Sequence, residues 1–470
     1  MARDPLQKVL HSRAPDLQEQ RGARHLLVWG ELAHWMVVDE ELHALLGRFD
    51  GRRTLKRVLL GHSKAWGKPV ERLAAEFEAV LPDLIARGIL TATPGRALRP
   101  DPEPLSIANL TLNLTNRCNL RCPFCYNSGR RTEELPAETL MEAVEAARPV
   151  FEPGATFIVL GGEPLLDPPR LWVALDRAAK VFSSQALLST NGTLLTPDTV
   201  AGLAGRAVEV QVSLDSPDPA RHDAGRGQGV HAKAVAGVER LVAAGVPTIL
   251  SMVYTSQSAA ELEPFLELAL ALGVREARFI PLRLIGGGLS SRSLLPDQHA
   301  TFTFLLEILG RRPELGKLLV RDWFSIMYTL CRYSARRTSC GIGRRVIFLD
   351  ADGAVYPCPN HVSPELRCGD IRTTPLVEIL KASQVMSGLR ERYEVSRFTR
   401  CRECPFRHFC AGDCRGEVLA LTGDPAAPSP HCSELRRVYT EMFWLLSEGD
   451  QRLGGGGREK DARSALAAFQ

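Results

Sequence analysis

Apolar and polar positions change period several times along the chain, and each change marks a new kind of element. The alternations His25-Leu-Leu-Val28 and Trp35-Met-Val-Val38 predict two short strands joined around Gly30. Residues 40–49 then carry Leu42, Leu45, Leu46 and Phe49 at helical spacing, closed by Asp50-Gly51. Thr54 ahead of Leu55-Lys-Arg-Val58 starts a second helix. A third, near 70–87, puts Leu73, Phe77, Val80, Leu81 and Leu84 on one face and stops at Gly88, before the short strand Ile89-Leu90. Strands followed by three helices predict a small winged-helix-like unit over residues 1–98. Residues 1–22 are polar and without period, and are expected to form a loose lead-in.

Arg99-Pro-Asp-Pro-Glu-Pro104 reads as an extended linker, since alternating prolines remove donors and fix the backbone. After it the pattern becomes a strand-then-helix rhythm. Strands are predicted near 107–114, 156–161, 185–190, 208–214, 247–253 and 276–282, with helices near 136–149, 168–182, 197–204, 230–244 and 258–272. Such alternation implies parallel strands with right-handed crossovers. Six units fall short of the eight of a closed barrel, so the expected fold is α/β, a partial (β/α)6 barrel over 99–310 with one side open to a large substrate. Gly286-Gly-Gly288 breaks the rhythm and a helix near 297–310 leads out, into a small Cys-rich domain over 311–450 and a flexible tail over 451–470.

Composition narrows the class. With 470 residues, 45% hydrophobic and 24% charged, the chain reads as a soluble protein of two or three domains. No apolar run reaches the length of a membrane span and the start lacks a secretory signal, so a cytoplasmic location with no membrane partner is expected. Twelve cysteines in such a chain argue for metal ligation over disulfides. The net charge of +4 lies wholly in the first hundred residues and is too small to imply a nucleic-acid partner.

The candidate chemistry starts at Cys118-Asn-Leu-Arg-Cys122-Pro-Phe-Cys125, directly after the alternation Leu110-Thr-Leu-Asn-Leu114. Iron–sulfur clusters take four ligands, and three thiolates leave one iron open, as catalytic metal sites keep a vacant position. By spacing alone a zinc site or a disulfide framework remains an alternative. Chemistry in such barrels gathers on loops at the C-terminal ends of the strands. Gly161-Gly162-Glu163-Pro164, Ser189-Thr-Asn191-Gly192 and Ser213-Leu-Asp215 all fall there.

With Phe124 just before its last cysteine, this loop resembles the cluster loop of radical S-adenosylmethionine (SAM) enzymes. The resemblance implies a [4Fe–4S] cluster whose open iron binds SAM, whose reductive cleavage yields a 5'-deoxyadenosyl radical. It implies that Gly161, Gly162 and Glu163, with Pro164, hold the methionyl amine, and that Ser189, Asn191 and Ser213 contact ribose or carboxylate. Arg226, in His222-Asp-Ala-Gly-Arg226, is a candidate carboxylate partner or a plain surface arginine; Asp215 joins the cofactor contacts or orders its own loop.

Nine further cysteines lie in 331–432, spaced Cys340-x12-Gly353-x4-Cys358, then Cys401-x2-Cys404-x5-Cys410-x3-Cys414, then Cys432. A hairpin around Asp350-Ala-Asp-Gly353 is predicted to end near Cys358. Taken alone, the Cys401-x2-Cys404 stretch also suits a zinc ribbon. The set resembles the seven-cysteine SPASM extension, which implies two auxiliary [4Fe–4S] clusters and three clusters in all. By the family's arrangement Cys401, Cys404, Cys410 and Cys432 hold the outer cluster. Cys340, Cys358 and Cys414 hold the inner one, with Cys331 or substrate as fourth ligand, while Cys368 serves as a small hydrophobe. Asp413 is a candidate proton acceptor for the closing step, or a partner for backbone N–H groups around the cluster. Sulfatase-maturing members carry an aspartate where Pro359 stands, which disfavours formylglycine formation.

The N-terminal unit resembles the PQQ-chaperone-like domain that binds leader peptides as an added strand; a DNA-binding winged helix fits the same pattern. These resemblances imply an oxidoreductase of the radical SAM class that modifies or cross-links a peptide or protein, through a thioether or C–C bond for example, as in ribosomal-peptide maturation. A reductant such as flavodoxin or ferredoxin would supply electrons. A small-molecule cofactor maturase and a non-enzymatic Fe–S winged-helix regulator are the alternatives.

Overall fold

The computed structural model describes residues 5–92, 105–128 and 133–453; the expected linker at 99–104 and the tail from Gly454 onward lie outside the described residues. The N-terminal part has strands β1 (Val9–Ser12), β2 (Leu17–Arg21), β3 (Arg24–Trp29), β4 (His34–Asp39), β5 (Asp50–Thr54) and β6 (Leu90–Thr91), with helices α1 (Glu40–Leu46), α2 (Leu55–Trp66) and α3 (Val70–Ala86). The expected loose lead-in is therefore corrected, since it contributes β1 and β2. β1 lies between β5 and β6, and β2 pairs with β3 from Leu17↔Val28 to Arg21↔Arg24. The sequence Leu17-Gln-Glu-Gln-Arg21 shows no apolar alternation because β2 is an edge strand lying mostly in solvent, held by its ladder to β3. Asp39 caps α1 by accepting from Leu42 N at 2.7 Å. Leu55, Val58 and Leu59 of α2 meet Leu73, Phe77 and Leu81 of α3 in a separate small core.

The central sheet is built from β7 (Ile107–Asn113), β8 (Phe151–Leu160), β9 (Ala186–Thr190), β10 (Val208–Ser213), β11 (Thr248–Tyr254) and β12 (Glu276–Pro281), adjacent in that order and all parallel. Its connections carry helices α4 (Ala137–Ala146), α5 (Pro168–Val181), α6 (Pro197–Ala204), α7 (Pro219–Arg226), α8 (Val230–Ala243) and α9 (Leu262–Ala271). This is the expected partial barrel. One face of the strands, including Val208, Val210, Val212 and Phe279, joins Val238, Leu241 and Phe265 in the main core. The other face is polar. Near the strands' N-terminal ends Arg321 bridges Glu209 (3.0 Å) and Glu276, and Arg278 donates to Gln211 at 2.9 Å. These paired charges fill that end of the barrel, so the C-terminal end is the one available for chemistry.

After α10 (Gln298–Arg311) and α11 (Trp323–Arg332), strands β13 (Val346–Leu349), β14 (Ala354–Tyr356) and β15 (Gly369–Asp370) extend the same sheet to nine strands, β13 running parallel to β7. β13 and β14 form the expected hairpin around Asp350–Gly353. The chain continues through α12 (Leu376–Ala382), α13 (Gln384–Arg392), α14 (Arg407–Cys410), α15 (Arg415–Thr422) and α16 (Cys432–Ser447). The sheet β2–β3–β4 docks on α16: Trp35 stacks on Phe443 at 4.8 Å, and Trp444 Nε1 donates to Glu19 at 3.0 Å. Among the described residues no helix is long and apolar enough to cross a membrane.

Candidate active site

The Cys118–Cys125 loop leaves the C-terminal end of β7 and is gripped from two sides by backbone. On one side Gly162 N donates to Thr115 O (2.6 Å) and Glu163 N to Arg117 O (2.8 Å). A Cβ on Gly162 would stand 2.1 Å from Arg117 O, so only glycine permits this approach. On the other side Gly287 N donates to Cys125 O at 2.9 Å, and a Cβ there would stand 2.3 Å from Pro123 O. Gly286–Gly288, which interrupts the barrel rhythm, is thus also a wall of the site. Cys118 is exposed and Cys122 and Cys125 are half-buried. Burial pushes the Cys118 and Cys122 thiols up, and the Arg226 guanidinium opposes the shift at Cys122.

The neighbouring loops do not all present the groups expected of them. Glu163 is fully buried, and its carboxylate accepts from Leu165 N (3.0 Å), Thr190 Oγ1 (2.8 Å) and Asn191 N (2.8 Å). It ties the loop after β8 to the loop after β9 and has no oxygen turned to a ligand. What Gly161–Glu163 can offer an ammonium group is therefore backbone. Pro164 opens the short turn behind it. Asn191 reaches the cluster loop itself, donating from Nδ2 to Asn119 Oδ1 at 2.9 Å. Ser189 and Ser213 lie half-buried on the polar inner face, in register with Gln211 and Ser251.

Arg226 is not the surface arginine of one alternative reading. It pairs with Asp215, Nε to Oδ2 at 2.5 Å and Nη2 to Oδ1 at 3.1 Å, and lies over the Phe124 ring at 5.6 Å. Burial disfavours its charge, but the Asp215 carboxylate more than offsets this and holds the guanidinium protonated. Asp215 also accepts from Val253 N at 3.1 Å, and its own N–H donates to the buried His222 Nδ1 at 3.1 Å. A bound carboxylate would have to share Arg226 with Asp215. The pair acts as a fixed cation–anion unit beside Cys122.

In the C-terminal part, the structure gathers the cysteines into two groups. Cys401, Cys404, Cys410 and Cys432 line one small cavity. Cys340, Cys358 and Cys414 line a second of about 300 Å³, which Cys410 also touches. Burial holds the Cys401 thiol up at about 11, with the Cys432 and Cys404 sulfurs adding to the shift against Arg415. Thiols crowded around a common cavity, with burial raising Cys401, Cys404 and Cys410, suit a metal-ligand set, whose cation stabilises the thiolates. Four sulfurs around one cavity fit a closed iron–sulfur cube, and three around the next fit a cube with one non-cysteine position. Cys331 joins neither group: it is fully buried in α11, lines neither cavity, and burial alone raises its thiol. Cys368 sits in the main core and its thiol faces Leu366 O at 3.4 Å.

Asp413 is locked rather than free. Arg283 Nη2 and Nη1 donate to its two oxygens at 3.0 and 3.1 Å, and Ser429 Oγ donates at 2.7 Å. Burial works against ionisation, but Arg283 and His431 outweigh it and hold the carboxyl down at about 2. Both oxygens of Asp413 are thus already engaged by donors, which is the anchoring role rather than the free acceptor of the two readings offered for it. Asp413, Glu417 and His431 lie close enough to suggest a metal site, yet Arg283 already supplies the cation. Arg283 and Glu417 were not singled out from sequence; the usable signal was the position of Arg283 just past the C-terminal end of β12.

Comparison with known proteins bears on this geometry. The profile of the Radical SAM superfamily matches residues 112–269, and that of an iron-sulfur cluster-binding domain (SPASM) matches residues 340–405. A PqqA peptide cyclase of Streptomyces rochei is 30% identical over 342 residues, 71% of this chain and 91% of that protein. This chain is a member of the radical SAM superfamily. An AdoMet-dependent heme synthase of Methanosarcina barkeri is equally similar, at 30% over 338 residues, 68% of this chain and 94% of that protein. The solved structure of Streptococcus suis SuiB bound to S-adenosylmethionine shares the fold, with a TM-score of 0.56 at 14% identity over 91% of this chain and 100% of that one. As a radical SAM enzyme with a SPASM region, the protein uses S-adenosylmethionine, a SAM-binding [4Fe–4S] cluster and auxiliary clusters.

Proposed function

We propose that this radical SAM enzyme is a maturase that oxidatively modifies or cross-links a peptide or protein. The observation that carries the reading is an open cavity of about 660 Å³ that runs from Tyr126 and Ser128 at the cluster loop to Asn360 and His361 beside Cys358. Asn360, His361 and Gly416 line both this cavity and the one around Cys340, Cys358 and Cys414. An extended polymer laid along it would reach from the radical-forming loop to the inner auxiliary site. The PqqA peptide cyclase acts, by its name, on a peptide, and a further SuiB structure is bound to precursor peptide SuiA; both support the reading.

In this reading Cys118, Cys122 and Cys125 hold the SAM-binding cluster, Cys401, Cys404, Cys410 and Cys432 the outer auxiliary cluster, and Cys340, Cys358 and Cys414 the inner one. The bound cofactors supply hydrogen-atom abstraction and a path for the electron released on product formation. The chain's residues do the rest. The backbone of Gly161–Glu163 and Gly286–Gly287 fixes the cluster loop, Asn191 orients Asn119, and Asp215 holds the Arg226 guanidinium in place beside Cys122. Residues 1–98 form the recognition unit, with the exposed edge strand β2 as the place where a leader would add. A flavodoxin or ferredoxin is the electron donor.

The test is anaerobic turnover with SAM, dithionite and short peptides encoded beside the enzyme, read by mass spectrometry. A peptide that loses hydrogen mass while 5'-deoxyadenosine forms supports the reading. Turnover of a tetrapyrrole with every peptide left unchanged would replace it with the heme-synthase type of activity.

A further inference from the structure

Between Cys358 and the wall of the substrate cavity lies a short chain of polar groups that no step above uses. In Cys358-Pro-Asn-His361 the backbone turns back on itself, His361 N donating to Cys358 O at 3.0 Å. The turn brings His361 Nδ1 to 3.7 Å from Cys358 Sγ. The opposite ring nitrogen, Nε2, lies 3.0 Å from the hydroxyl of Tyr393, whose ring meets the imidazole edge-on at 5.4 Å and 67°. Both residues are almost fully enclosed, His361 at 3% and Tyr393 at 2% exposure, although both border the open cavity.

The direction of these bonds follows from chemistry. A metal-bound thiolate only accepts, so Nδ1 must carry the ring proton; the other tautomer would set a lone pair against a lone pair. A neutral imidazole has one ring proton to place, and the sulfur claims it for Nδ1. With that proton on Nδ1, Nε2 is an acceptor and the Tyr393 hydroxyl must donate to it. Burial raises the phenol well above its ordinary value, so it stays a donor. The backbone N–H of Asn360 donates to the same sulfur at 3.2 Å, and its side-chain amide reaches Cys414 Sγ at 3.5 Å.

We propose that Tyr393 and His361 form a hydrogen-bond relay onto the sulfur of Cys358, and that this relay sets the reduction potential of the inner auxiliary cluster. The proposal rests on the reading that Cys340, Cys358 and Cys414 hold that cluster. Hydrogen bonds to cluster sulfurs stabilise the extra negative charge of the reduced state and so raise the potential. The relay therefore makes the inner cluster the better electron acceptor, on the side facing the substrate cavity. His361 and Tyr393 are positioning residues: they act through Cys358.

The experiment is an EPR-monitored redox titration of the full-length chain, reconstituted anaerobically with its SAM-binding loop disabled by Cys118→Ala, Cys122→Ala and Cys125→Ala, so that auxiliary signals stand alone. Into this parent, Tyr393→Phe and His361→Phe are introduced separately. Tyr393→Phe keeps the ring packing and removes only the hydroxyl. It is expected to move one of the two auxiliary potentials to a more negative value and leave the other in place; His361→Phe is expected to move the same one further. If His361→Phe lowers the iron content, Tyr393→Phe alone decides. Unchanged potentials, or a positive shift, at full iron content overturn the relay while leaving the cluster assignment standing. A parent that shows no auxiliary signal at all overturns both.

Discussion

Arg283 grips Asp413 with two parallel hydrogen bonds, Nη2 to Oδ1 at 3.0 Å and Nη1 to Oδ2 at 3.1 Å, and so ties the mouth of the barrel to the cysteine-rich region. The same guanidinium donates to Glu417 at 2.8 Å, whose other oxygen accepts from Leu284 N at 2.9 Å. Asp413 lies between Cys410 and Cys414, one from each cysteine group, so this contact fixes where both groups sit relative to the barrel.

Removing that cation is expected to be costly. Arg283→Met leaves Asp413 and Glu417 buried without their guanidinium, with His431 and Ser429 still facing them, and breaking a buried pair from one side costs about 3–5 kcal/mol. Anaerobic denaturant unfolding of the reconstituted variant should show a loss of that order. A loss under about 1 kcal/mol, the range of exposed pairs, would mean that the network is solvated and does not hold the two parts together.

The glycine wall makes a kinetic prediction. In Gly287→Ala the new Cβ meets Pro123 O and Cys125 backbone, neither of which can yield without moving the cluster loop. Displacement of about 1 Å at a reacting centre can cost about 100-fold in rate. SAM cleavage should fall by that order, while iron bound by the C-terminal cysteines stays constant. Unimpaired 5'-deoxyadenosine release would show the loop to be held by other contacts.

Glu163→Gln tests the inward-facing carboxylate. The amide keeps one acceptor oxygen but sets an NH2 group against donors that Glu163 now accepts from. An unsatisfied buried donor costs about 1–3 kcal/mol, so a stability loss of that size is expected by thermal or denaturant unfolding. If SAM affinity collapses with stability unchanged, Glu163 contacts the ligand and the geometry described here is wrong for it.

The strand–helix rhythm of the barrel was legible because each element announces itself locally: periods switch between adjacent segments, and glycines or prolines mark the ends. Two things were not. β2 is polar after Leu17, since an edge strand is held by backbone pairing that side-chain pattern does not report. β13 joins β7 across more than two hundred residues, and no local signal says that a hairpin in the cysteine region will continue the barrel sheet. The site divides the same way. The loops after successive strands could be placed together from topology alone, and the Cys118–Cys125 spacing stood out. The partners of individual side chains could not be read. Arg226 and Asp215 are eleven residues apart and turned out to satisfy each other. Arg283 and Glu417 are 134 residues apart and carry nothing in the sequence that connects them.

His222 gives a pH signature. Burial holds it down at about 4 in the folded protein, where Nδ1 accepts from Asp215 N. Its ordinary value is about 6.5, so the unfolded chain binds this proton more readily, and the stability it contributes is complete above about 6.5 and is lost as pH falls. Between pH of about 7.5 and about 5.5 the loss should be about 1 kcal/mol. His222→Gln should be less sensitive to pH over that interval by the same amount. An unaltered pH dependence would mean that His222 titrates normally in the fold.

In the proposed reading SAM is cleaved at the Cys118–Cys125 loop, which the Gly161–Glu163 and Gly286–Gly287 backbones hold at the barrel mouth. The direct measurement is 5'-deoxyadenosine release from SAM and dithionite by the reconstituted protein, against a variant carrying Cys122→Ala and Cys125→Ala with its C-terminal cysteines intact. The account predicts steady release by the wild type and none above the protein-free control by the variant, though the variant still binds auxiliary iron. Release by the variant at the wild-type rate would contradict it.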